Sequence, residues 1–593
     1  MTPTLNSENL RTPARIEILA VTLLLALVCI IAWPGMTAPL LLDDLDQTRF
    51  VRNFTSWQDC INHDCYGLFR PAKNLIYYYL ENLSLFQWHA LNLSVYLSSV
   101  LAVHLLLRRL LGSFVWGLAA TALWATCPTQ VSTAVWMSAV NLSLAITFTC
   151  ACLICHDRSR ENAGHRLGMT ALACLSLFLA QCSYEVTVAV PGLCVLLDAL
   201  RKRPLFSRAA IFRYIALGVV TLIYLAIRAH FGAILSANSA KAGFAPDLTS
   251  WQLSLSAPWL LWRHFSMWLM PAGRLEFFGT YLWGISAPPW ELAAAWAWLL
   301  ILIGLIGISW KRQPWLAFGL LWFLISSFPT SNFIPIWAGP IADYYLVFPG
   351  IGLSIALLGV AKALLDWIQR ERLNPESQRQ WVGGALLSFI ALWRLLGIPL
   401  FWLQADLWNR PLELFMHGEL TRSAQYHVQF LVGMEFLKNK DLPRAKEWAI
   451  KSYETAPWLG AASVILGSVA LENKDYVEAE ERFLEAIHNN FKNVSAKEYS
   501  QLHLAKTFMA QESKRQLTRE ILLPLLNDSR SSLHLNAINL QIDSYLAQNK
   551  PEDARRAAAK AQKLHPENSQ LAARLKEIEQ KFPSSEVSPQ LQR

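Results

Sequence analysis

This sequence has few charged residues for its length. Only 16% of its 593 residues are Asp, Glu, Lys or Arg, whereas 54% are hydrophobic. A typical soluble domain carries about 25% charged residues, so the composition argues against an ordinary soluble enzyme and favours lipid as the main solvent. Charge returns after about residue 408, where Lys, Glu, Gln and Ala are common and long apolar runs are lacking. That segment is predicted to be soluble.

Further absences narrow the function. The sequence contains no Gly-rich phosphate loop and no dinucleotide fingerprint, so a nucleotide-sugar donor is not indicated. No small-residue cleavage site follows the first apolar run, which is therefore interpreted as an uncleaved helix rather than a removed signal peptide. The clear apolar runs carry little charge at their centres, which argues against a transporter or a polysaccharide polymerase.

Cysteine is absent from the segment after residue 408. Eight of the ten cysteines lie in or beside apolar runs, where they are expected to behave as small hydrophobic residues. The other two, Cys60 and Cys65, share one loop. In an oxidising compartment they would either form a local disulfide or stay reduced.

The apolar runs are long enough to span a bilayer, which takes about 20 residues. Basic residues cluster in the short loops between them, and the positive-inside bias places these clusters and the N-terminus in the cytoplasm. Topology therefore explains the net charge of +9, and no nucleic-acid partner is expected. Satisfying every cluster takes eleven crossings, with the segment after residue 408 outside, near 16–34, 88–108, 114–128, 131–154, 167–182, 184–200, 210–230, 290–310, 314–330, 344–368 and 381–403.

The apolar stretch 255–270 does not fit this scheme as a crossing. Counting it would move Lys311 and Arg312 to the outer side, and it carries Arg263 and His264 at its middle, where charge is costly in lipid. It is predicted to be a re-entrant or interfacial helix.

The soluble segment repeats itself every 34 residues. Gly433, the triplet Asn439-Lys440-Asp441 and Ala445 recur as Gly467, Asn473-Lys474-Asp475 and Ala479. This period is typical of tetratricopeptide repeats, predicted at 424–457, 458–491 and 535–566, with a degenerate unit at 500–530. Such arrays form solenoids that bind extended peptides or partner helices, although this one could also only cap the membrane domain.

Acidic and basic residues gather in the first outer loop, 35–87. Asp43 and Asp44 follow the first span, and Arg70 suits a phosphate because its planar fork donates two charge-assisted hydrogen bonds. Glu185 lies at a hairpin between two apolar segments, either facing a cavity or simply solvated. A carboxylate here could deprotonate an acceptor hydroxyl or hold a divalent cation, Mg or Mn, at Asp43 and Asp44 with help from other loop residues. Those additional candidate ligands are Asp46, Asp59, His63 and Asp64.

A series of short motifs, followed by the repeats, resembles the transmembrane and tetratricopeptide repeat-containing family of O-mannosyltransferases and its bacterial relatives, over nearly the whole chain. The motifs, in order, are Asp43-Asp44, Phe69-Arg70-Pro71, Trp88-His89-Ala90-Leu91-Asn92, Cys127-Pro128 with Ala134-Val135-Trp136, Tyr184-Glu185 ending at Pro191, and Tyr345 with Pro349-Gly350-Ile351-Gly352.

The resemblance implies a GT-C fold and a membrane glycosyltransferase that takes sugar from a polyprenyl-phosphate donor on the outer, periplasmic or lumenal, face. It implies catalytic roles for Asp43, Asp44 and Glu185. It implies donor binding by four further residues, Arg70, His89, Asn92 and Tyr345. A protein or glycan would be the acceptor.

The chain departs from the family pattern at several positions. Asp343-Tyr344-Tyr345 stands where the family has Glu-Arg-Tyr, so the arginine expected to hold donor phosphate is missing, and Arg228, Arg263 or Arg274 would have to replace it. These departures leave two outcomes open, a different donor sugar or lost activity. The other departures are Cys127 and Gln130 for two histidines, Tyr184 for a lysine and Val140 for an arginine.

The prediction is thus an all-α protein with a GT-C-like transmembrane domain at 1–408, a tetratricopeptide domain at 409–582 and a disordered tail at 583–593. It would lie in the inner membrane if bacterial, with the repeat domain periplasmic or lumenal. The alternative function is a catalytically inactive membrane scaffold whose outer repeats recruit envelope proteins.

Overall fold

The computed structural model describes residues 13–52, 54–62, 68–161, 166–231, 250–272, 288–333, 341–371, 378–421, 426–489, 494–527, 531, 533–566 and 568–582. Regular secondary structure in these ranges is entirely helical, which confirms the all-α class. The chain divides into two compact units, Met1–Val428 and Gln429–Arg593. Cys65, His63, Asp64, Arg274 and the predicted tail lie outside the described residues, so the predictions made for them stay predictions.

The first unit contains eighteen helices among its described residues, joined in part by short 3₁₀ turns. The helices are α1 (Ala14–Ala32), α2 (Asp43–Val51), α3 (Pro71–Tyr79), α4 (Leu85–Leu111), α5 (Phe114–Ala125), α6 (Val131–Val135), α7 (Val140–Ser159), α8 (Arg166–Ser183), α9 (Val190–Leu200), α10 (Arg208–His230), α11 (Ser250–Leu255), α12 (Ala257–Leu269), α13 (Pro289–Arg312), α14 (Pro314–Ser327), α15 (Pro349–Glu371), α16 (Gln378–Leu395), α17 (Gly397–Leu407) and α18 (Pro411–Thr421). The turns that matter here are Trp33–Thr37, Pro128–Gln130, Met137–Ala139, Glu185–Ala189 and Asp343–Leu346.

Eight helical segments among the described residues are long and apolar enough to cross a membrane, which supports an integral membrane protein. The predicted count of eleven stays a prediction, because α5 and α14 are apolar but shorter. The eight segments are Ala14–Thr37, Leu85–Leu111, Met137–Ser159, Arg166–Ser183, Arg208–His230, Pro289–Arg312, Pro349–Ile368 and Val382–Leu407.

The stretch predicted to be re-entrant or interfacial is occupied by helix α12. Its 13 residues span roughly 20 Å, less than the hydrocarbon thickness of about 30 Å. Trp259, Leu260, Met267 and Trp268 are buried against α13, α14 and the residues around Leu346. Helix α12 is therefore part of the protein core.

A network of buried ion pairs joins α4, α7, α9 and α10 at one end of the first unit. Asp157 pairs with Arg109 at 2.6 Å and Arg203 at 2.7 Å, and Asp198 contacts His156 at 3.2 Å. The network also includes Arg160, Arg201 and the Tyr214 hydroxyl, which donates to Asp198. Arginines from three separate stretches of sequence, represented by Arg109, Arg160 and Arg203, therefore meet at the same end of the helices.

The predicted functional residues lie toward the other end of the same helices. Within α4, His89 and Asn92 are near its start and Arg109 is near its end. Twenty residues of α-helix separate His89 from Arg109, roughly 30 Å, which matches the thickness of a bilayer core.

The second unit is a succession of packed helices. These are α19 (Tyr426–Lys438), α20 (Leu442–Thr455), α21 (Ala461–Glu472), α22 (Tyr476–His488), α23 (Val494–Ala510), α24 (Thr518–Asn527), α25 (His534–Ala547), α26 (Pro551–Leu564) and α27 (Ser569–Lys581).

The sequence period is visible in these helices. Asp441 and Asp475, 34 residues apart, each cap the next helix by accepting a backbone N–H three residues on, at 3.2 and 3.1 Å. The residues before them, Lys440 and Lys474, both have positive φ, 60° and 63°. Ala445 and Ala479 are fully buried, as are Ala554 and Phe483.

Candidate functional site

Arg70 and Glu185 form an ion pair at the centre of the predicted site. Arg70 Nε donates to Glu185 Oε2 at 2.9 Å, and Nη2 donates to Oε1 at 2.7 Å. Pro71 starts α3 and leaves Arg70 just before the helix, where proline at the first helical position is favourable. The guanidinium also lies 5.0 Å from the ring centroid of Tyr184. Two regions 115 residues apart in sequence are thus joined at one point.

The environment of Glu185 keeps it charged. It sits in the turn Glu185–Ala189, between the long helix α8 and the short helix α9. Burial raises the pKa of Glu185, but the charge and hydrogen bonds of Arg70, with Arg228 nearby, lower it to about 2. A carboxylate this acidic is a poor general base at neutral pH, so its geometry suits holding Arg70 in place.

Asp44 is buried and fully engaged by the protein. Its Oδ1 accepts the Ser138 N–H at 2.7 Å and faces the Tyr77 hydroxyl at 3.4 Å, and its Oδ2 accepts the Leu41 N–H at 3.3 Å. Burial raises the pKa of Asp44 to about 6, although the hydrogen bonds from Ser138 and Leu41 oppose the shift. Asp44 therefore fastens the segment that follows α1 to the turn that precedes α7.

Asp43 is partly exposed, unlike Asp44, and lies in the first turn of α2, where a negative charge suits the helix dipole. The residue before it, Leu42, has a φ of 55°, which leucine rarely adopts and which costs about 1–3 kcal/mol. The charge of Asp43 acts on the side chains of Tyr344 and Tyr345. The structure thus brings Asp43 near the turn Asp343–Leu346.

Tyr345, one of the predicted donor-binding residues, is buried at this turn. Its ring lies 4.9 Å from that of Tyr344 and 5.8 Å from that of His264. Arg70 also acts electrostatically on both tyrosines. Asp43, the Arg70–Glu185 pair and Tyr345 therefore share one region of the first unit.

His89 and Asn92 are close to this region but hold backbone. Both ring nitrogens of His89 face carbonyl oxygens, Nε2 that of Ala38 at 2.8 Å and Nδ1 that of Val135 at 3.2 Å. Asn92 Nδ2 donates to the carbonyls of Ala134 and Trp136 at 3.0 and 3.1 Å. Both side chains fix the segment 133–136 against α4, and their predicted role in donor binding stays a prediction.

A pocket of about 350 Å³, including its open mouth, lies beside this cluster. The Ser132 hydroxyl donates to Asp343 Oδ2 at 2.6 Å, and Asp343 Oδ1 has no hydrogen-bond partner among the described residues. Burial raises the pKa of Asp343 to about 7. The lining residues are Val131, Ser132, Asp343, Gln404, Trp408, Leu414, His417 and Gly418.

Aromatic rings connect this pocket to the rest of the site. Trp136 lies 6.3 Å from Trp408, which lines the pocket, and 5.6 Å from Tyr344. Its indole nitrogen points at the Leu41 carbonyl at 3.4 Å. The pocket thus combines an aromatic wall with hydroxyl, carboxyl and amide groups.

A divalent cation is not supported by the described carboxylates. Both oxygens of Asp44 already accept hydrogen bonds from the protein. Within the described ranges, no group of three or more His, Cys, Asp or Glu side chains is placed to hold a metal ion. His63 and Asp64 fall outside those ranges, and no step is assigned to a metal.

The replacements predicted for the missing arginine differ in their surroundings. Arg228 is buried, contacts the Tyr224 hydroxyl at 3.4 Å and acts on Glu185. The guanidinium of Arg263 lies 5.9 Å from the Trp259 ring. Both arginines therefore already contact other side chains of the protein.

Two cations in this unit were not expected from the sequence. Lys73 is completely buried on helix α3, one turn before Tyr77. Arg394 lies on helix α16, within an apolar span. Buried polar groups such as Ser132 and Ser138 were missed as well, because an isolated serine carries no pattern.

Comparisons with family models, curated proteins and solved structures give no match for this chain.

Proposed function

We propose that the chain is a membrane glycosyltransferase of GT-C type, which moves a sugar from a polyprenyl-phosphate donor to a protein or glycan acceptor. The observation that carries the proposal is the convergence of Asp43, the Arg70–Glu185 pair and Tyr345 at one end of the apolar helices. These residues come from four separate segments, each carrying one of the motifs of the resemblance.

The ion network supports an outer location for this site. Arg109 and its partners lie roughly 30 Å along α4 from His89, at the opposite end of the helix. Basic residues favour the cytoplasmic side, so the cluster around Asp43 would face the periplasm or lumen. Polyprenyl-phosphate sugars used on that face need no nucleotide-binding loop.

In the proposed reaction, Asp43 takes the proton of the acceptor hydroxyl, since it is the partly exposed acid of the pair. The acceptor oxygen attacks the anomeric carbon as the bond from that carbon to the phosphate oxygen breaks. Polyprenyl phosphate leaves with the electron pair, and a single displacement inverts the anomeric centre. Asp44 and Glu185 hold the loop and Arg70 in position.

The pocket beside Asp343 supports an acceptor or sugar site. Ser132, Gln404 and His417 offer hydrogen bonds, and Trp408 offers an aromatic surface to the apolar face of a sugar ring. Asp343 Oδ1 adds an acceptor that no described residue occupies.

The second unit is proposed to be a tetratricopeptide array that binds the acceptor or a partner protein. The repeated caps at Asp441 and Asp475 and the matching conformations of Lys440 and Lys474 support this assignment. Outside the membrane, such an array would bind acceptor or partner proteins.

The test compares Asp43→Asn with Asp46→Asn, which removes the same charge from the same helix. Each variant is returned to a deletion strain, and envelope proteins and glycans are analysed by mass spectrometry. We expect the deletion to remove one glycan, Asp46→Asn to restore it and Asp43→Asn to fail at normal protein level. Restoration by Asp43→Asn would overturn the proposed role of this site.

An inactive scaffold remains the second candidate, and one observation favours it. Arg70 already donates two hydrogen bonds to Glu185. The arginine of the family's Glu-Arg-Tyr triplet is replaced by Tyr344. The described residues around Asp43 therefore offer a phosphate little positive charge. Under this reading the deletion strain would keep its glycans and lose proteins that co-purify with the second unit.

A further inference from the structure

Arg394 is a cation for which the described residues supply no carboxylate partner. It lies near the end of α16, where Nη1 donates to the Trp268 carbonyl at 3.4 Å and approaches Cys127 Sγ at 3.8 Å. Nε and Nη2 are buried and have no hydrogen-bond partner among the described residues. No carboxylate within those residues pairs with it.

Two indole rings enclose the guanidinium. Its central carbon lies 3.7 Å from the centroid of Trp268 and 4.2 Å from that of Trp393. Stacking of this kind holds the planar group in one orientation and leaves its N–H groups free at the edge. The arrangement positions the donors, but rings and a carbonyl do not neutralise a full charge.

Leaving such a charge without a counterion is unfavourable in an apolar body. Arginine is the side chain best suited to a phosphate, because two parallel N–H groups match two phosphate oxygens. Nε and Nη2, the two atoms without partners, form one such edge of the fork. The unused edge therefore has the geometry of a phosphate-binding group.

Further buried polar atoms that have no hydrogen-bond partner in the described part of the chain lie around Trp268. Trp268 Nε1 is one of them, and it is a donor. Gln130 Oε1 is another, and the Gln130 amide and the Trp268 ring both border the same face of Gly350. His264 Nε2 is a third, one helical turn before Trp268 on α12. Several residues of this region thus have a buried polar atom to which no described residue hydrogen-bonds.

The helix that carries Arg394 is open to lipid. Only 6% of the apolar window within Val382–Leu407 is buried. Phe389, Leu392 and Leu395 are 67%, 60% and 59% exposed. An apolar chain can lie along these side chains while its headgroup reaches Arg394. A free ion would have no such path of apolar contacts, so the surroundings favour a lipid.

We propose that Arg394, with Trp268, binds the phosphate of a polyprenyl-phosphate lipid. That this lipid is the sugar donor rests on the proposed function, in which the family's missing phosphate arginine would be replaced from helix α16. His264 links the two regions, since its ring lies 5.8 Å from Tyr345.

The test measures binding to the purified full chain by native mass spectrometry, with three probes: a polyprenyl phosphate, the same polyprenyl alcohol and inorganic phosphate. Arg394→Gln should weaken binding of the lipid phosphate about tenfold or more, because hydrogen bonds to a charged group are lost. Arg394→Lys should fall between, since it keeps the charge without the fork. Arg312→Gln removes an exposed arginine and should bind as the wild type does.

Trp268→Phe provides a second route should Arg394→Gln fold poorly, because it keeps a ring beside Arg394 and removes the Nε1 donor. It should weaken lipid phosphate binding several-fold and leave the alcohol unaffected. Equal binding of phosphate and alcohol by the wild type, or unchanged binding by Arg394→Gln, would overturn the proposal. Displacement of the lipid by inorganic phosphate at equal concentration would assign the site to a free anion instead.

The Asp43→Asn variant separates this proposal from the proposed function. It should bind polyprenyl phosphate normally, since Arg394 is untouched. If it abolishes transfer while Arg394→Gln still binds lipid, the glycosyltransferase stands and the Arg394 site fails. If Arg394-dependent binding is found but Asp43→Asn transfers sugar, the lipid site stands and the catalytic proposal fails.

Discussion

Arg70 and Glu185 meet through two parallel hydrogen bonds, 2.9 and 2.7 Å long, across 115 residues of sequence. Their side chains are only 13% and 23% exposed, so water screens the pair weakly. The pair locks the start of α3 to the turn after α8. The two acids of the region therefore differ, since Glu185 is bound to an arginine whereas Asp43 is partly exposed, and the proposed function assigns the proton transfer to Asp43.

Removing one partner of this pair should destabilise the protein more than replacing both partners by apolar residues. We expect Arg70→Met and Glu185→Leu each to destabilise the protein, and the double variant to lose less than the sum, with a coupling of about 1–2 kcal/mol. Thermal unfolding in detergent measures the cycle. Strict additivity of the two single losses would show that the pair contributes no net energy.

Asp44→Asn should lower stability rather than act on chemistry. An amide keeps an acceptor for the Ser138 N–H, but its NH₂ group would then face the Leu41 N–H. Leaving a buried donor unsatisfied costs about 1–3 kcal/mol. Unfolding at pH 7.5 should show this loss for Asp44→Asn and almost none for Asp46→Asn. Equal stability of the two variants would contradict the structural role given to Asp44.

The sequence predicted the candidate site best where charged or polar residues belong to short motifs. Asp43, Arg70, Glu185 and Tyr345 were all named from motifs, and the structure places them in one region. It could not show that Arg70 and Glu185 pair, because a contact between residues 115 apart depends on how three helices pack. Nor could it separate Asp43 from Asp44, since burial of one neighbour follows from the α2 register.

Other features could not be predicted from the sequence because no motif marks them. Arg394 lies in an apolar span with no motif around it, and Trp268 lies 126 residues away. The stretch 255–270 was doubtful because its apolar run nearly reaches the length of a crossing, and the 13-residue helix α12 is too short for one. The number of crossings depends on such short helices, which hydropathy alone does not settle.

Stability should fall as the pH rises toward neutrality, and Asp343 should cause part of the fall. Burial raises its pKa to about 7, so the folded protein holds a proton that the unfolded chain, with a pKa near 3.8, releases. This contribution is complete below about pH 4 and lost as the pH approaches about 7. Asp44 acts in the same direction up to its pKa of about 6.

Asp343→Asn isolates that effect. Unfolding temperatures of wild type and variant are compared from pH 4.5 to 8.5, and the variant should gain relative to the wild type as the pH rises. Asp44 titrates in both proteins and cancels, so the whole difference belongs to Asp343 and should level off above about pH 7. A constant difference across the range would show that Asp343 titrates normally.

The ion network at the opposite end should tolerate little change. Asp198 is fully buried and accepts from Tyr214, His156 and Arg203. Asp198→Asn would remove the carboxylate that pairs with Arg160 and shares Arg203 with Asp157, at a cost of about 3 kcal/mol or more. Asp366→Asn, at a 40% exposed carboxylate paired with Lys362, should cost under about 1 kcal/mol. A similar effect of both changes on unfolding would contradict the importance of the network.

Lys73 gives the prediction of opposite sign. Its side chain is completely buried on α3, its amino group has no hydrogen-bond partner among the described residues, and its nearest aromatic contact is the Tyr77 ring centroid at 6.0 Å. A buried donor without a partner costs about 1–3 kcal/mol, and methionine fills a similar volume without one. Lys73→Met should therefore raise the free energy of unfolding by about that amount, whereas Lys311→Met, at an exposed position, should change it by less than about 0.5 kcal/mol. Thermal unfolding in detergent decides the matter, and a loss of stability in Lys73→Met would mean that the amino group has a favourable environment that the hydrogen-bond geometry does not explain.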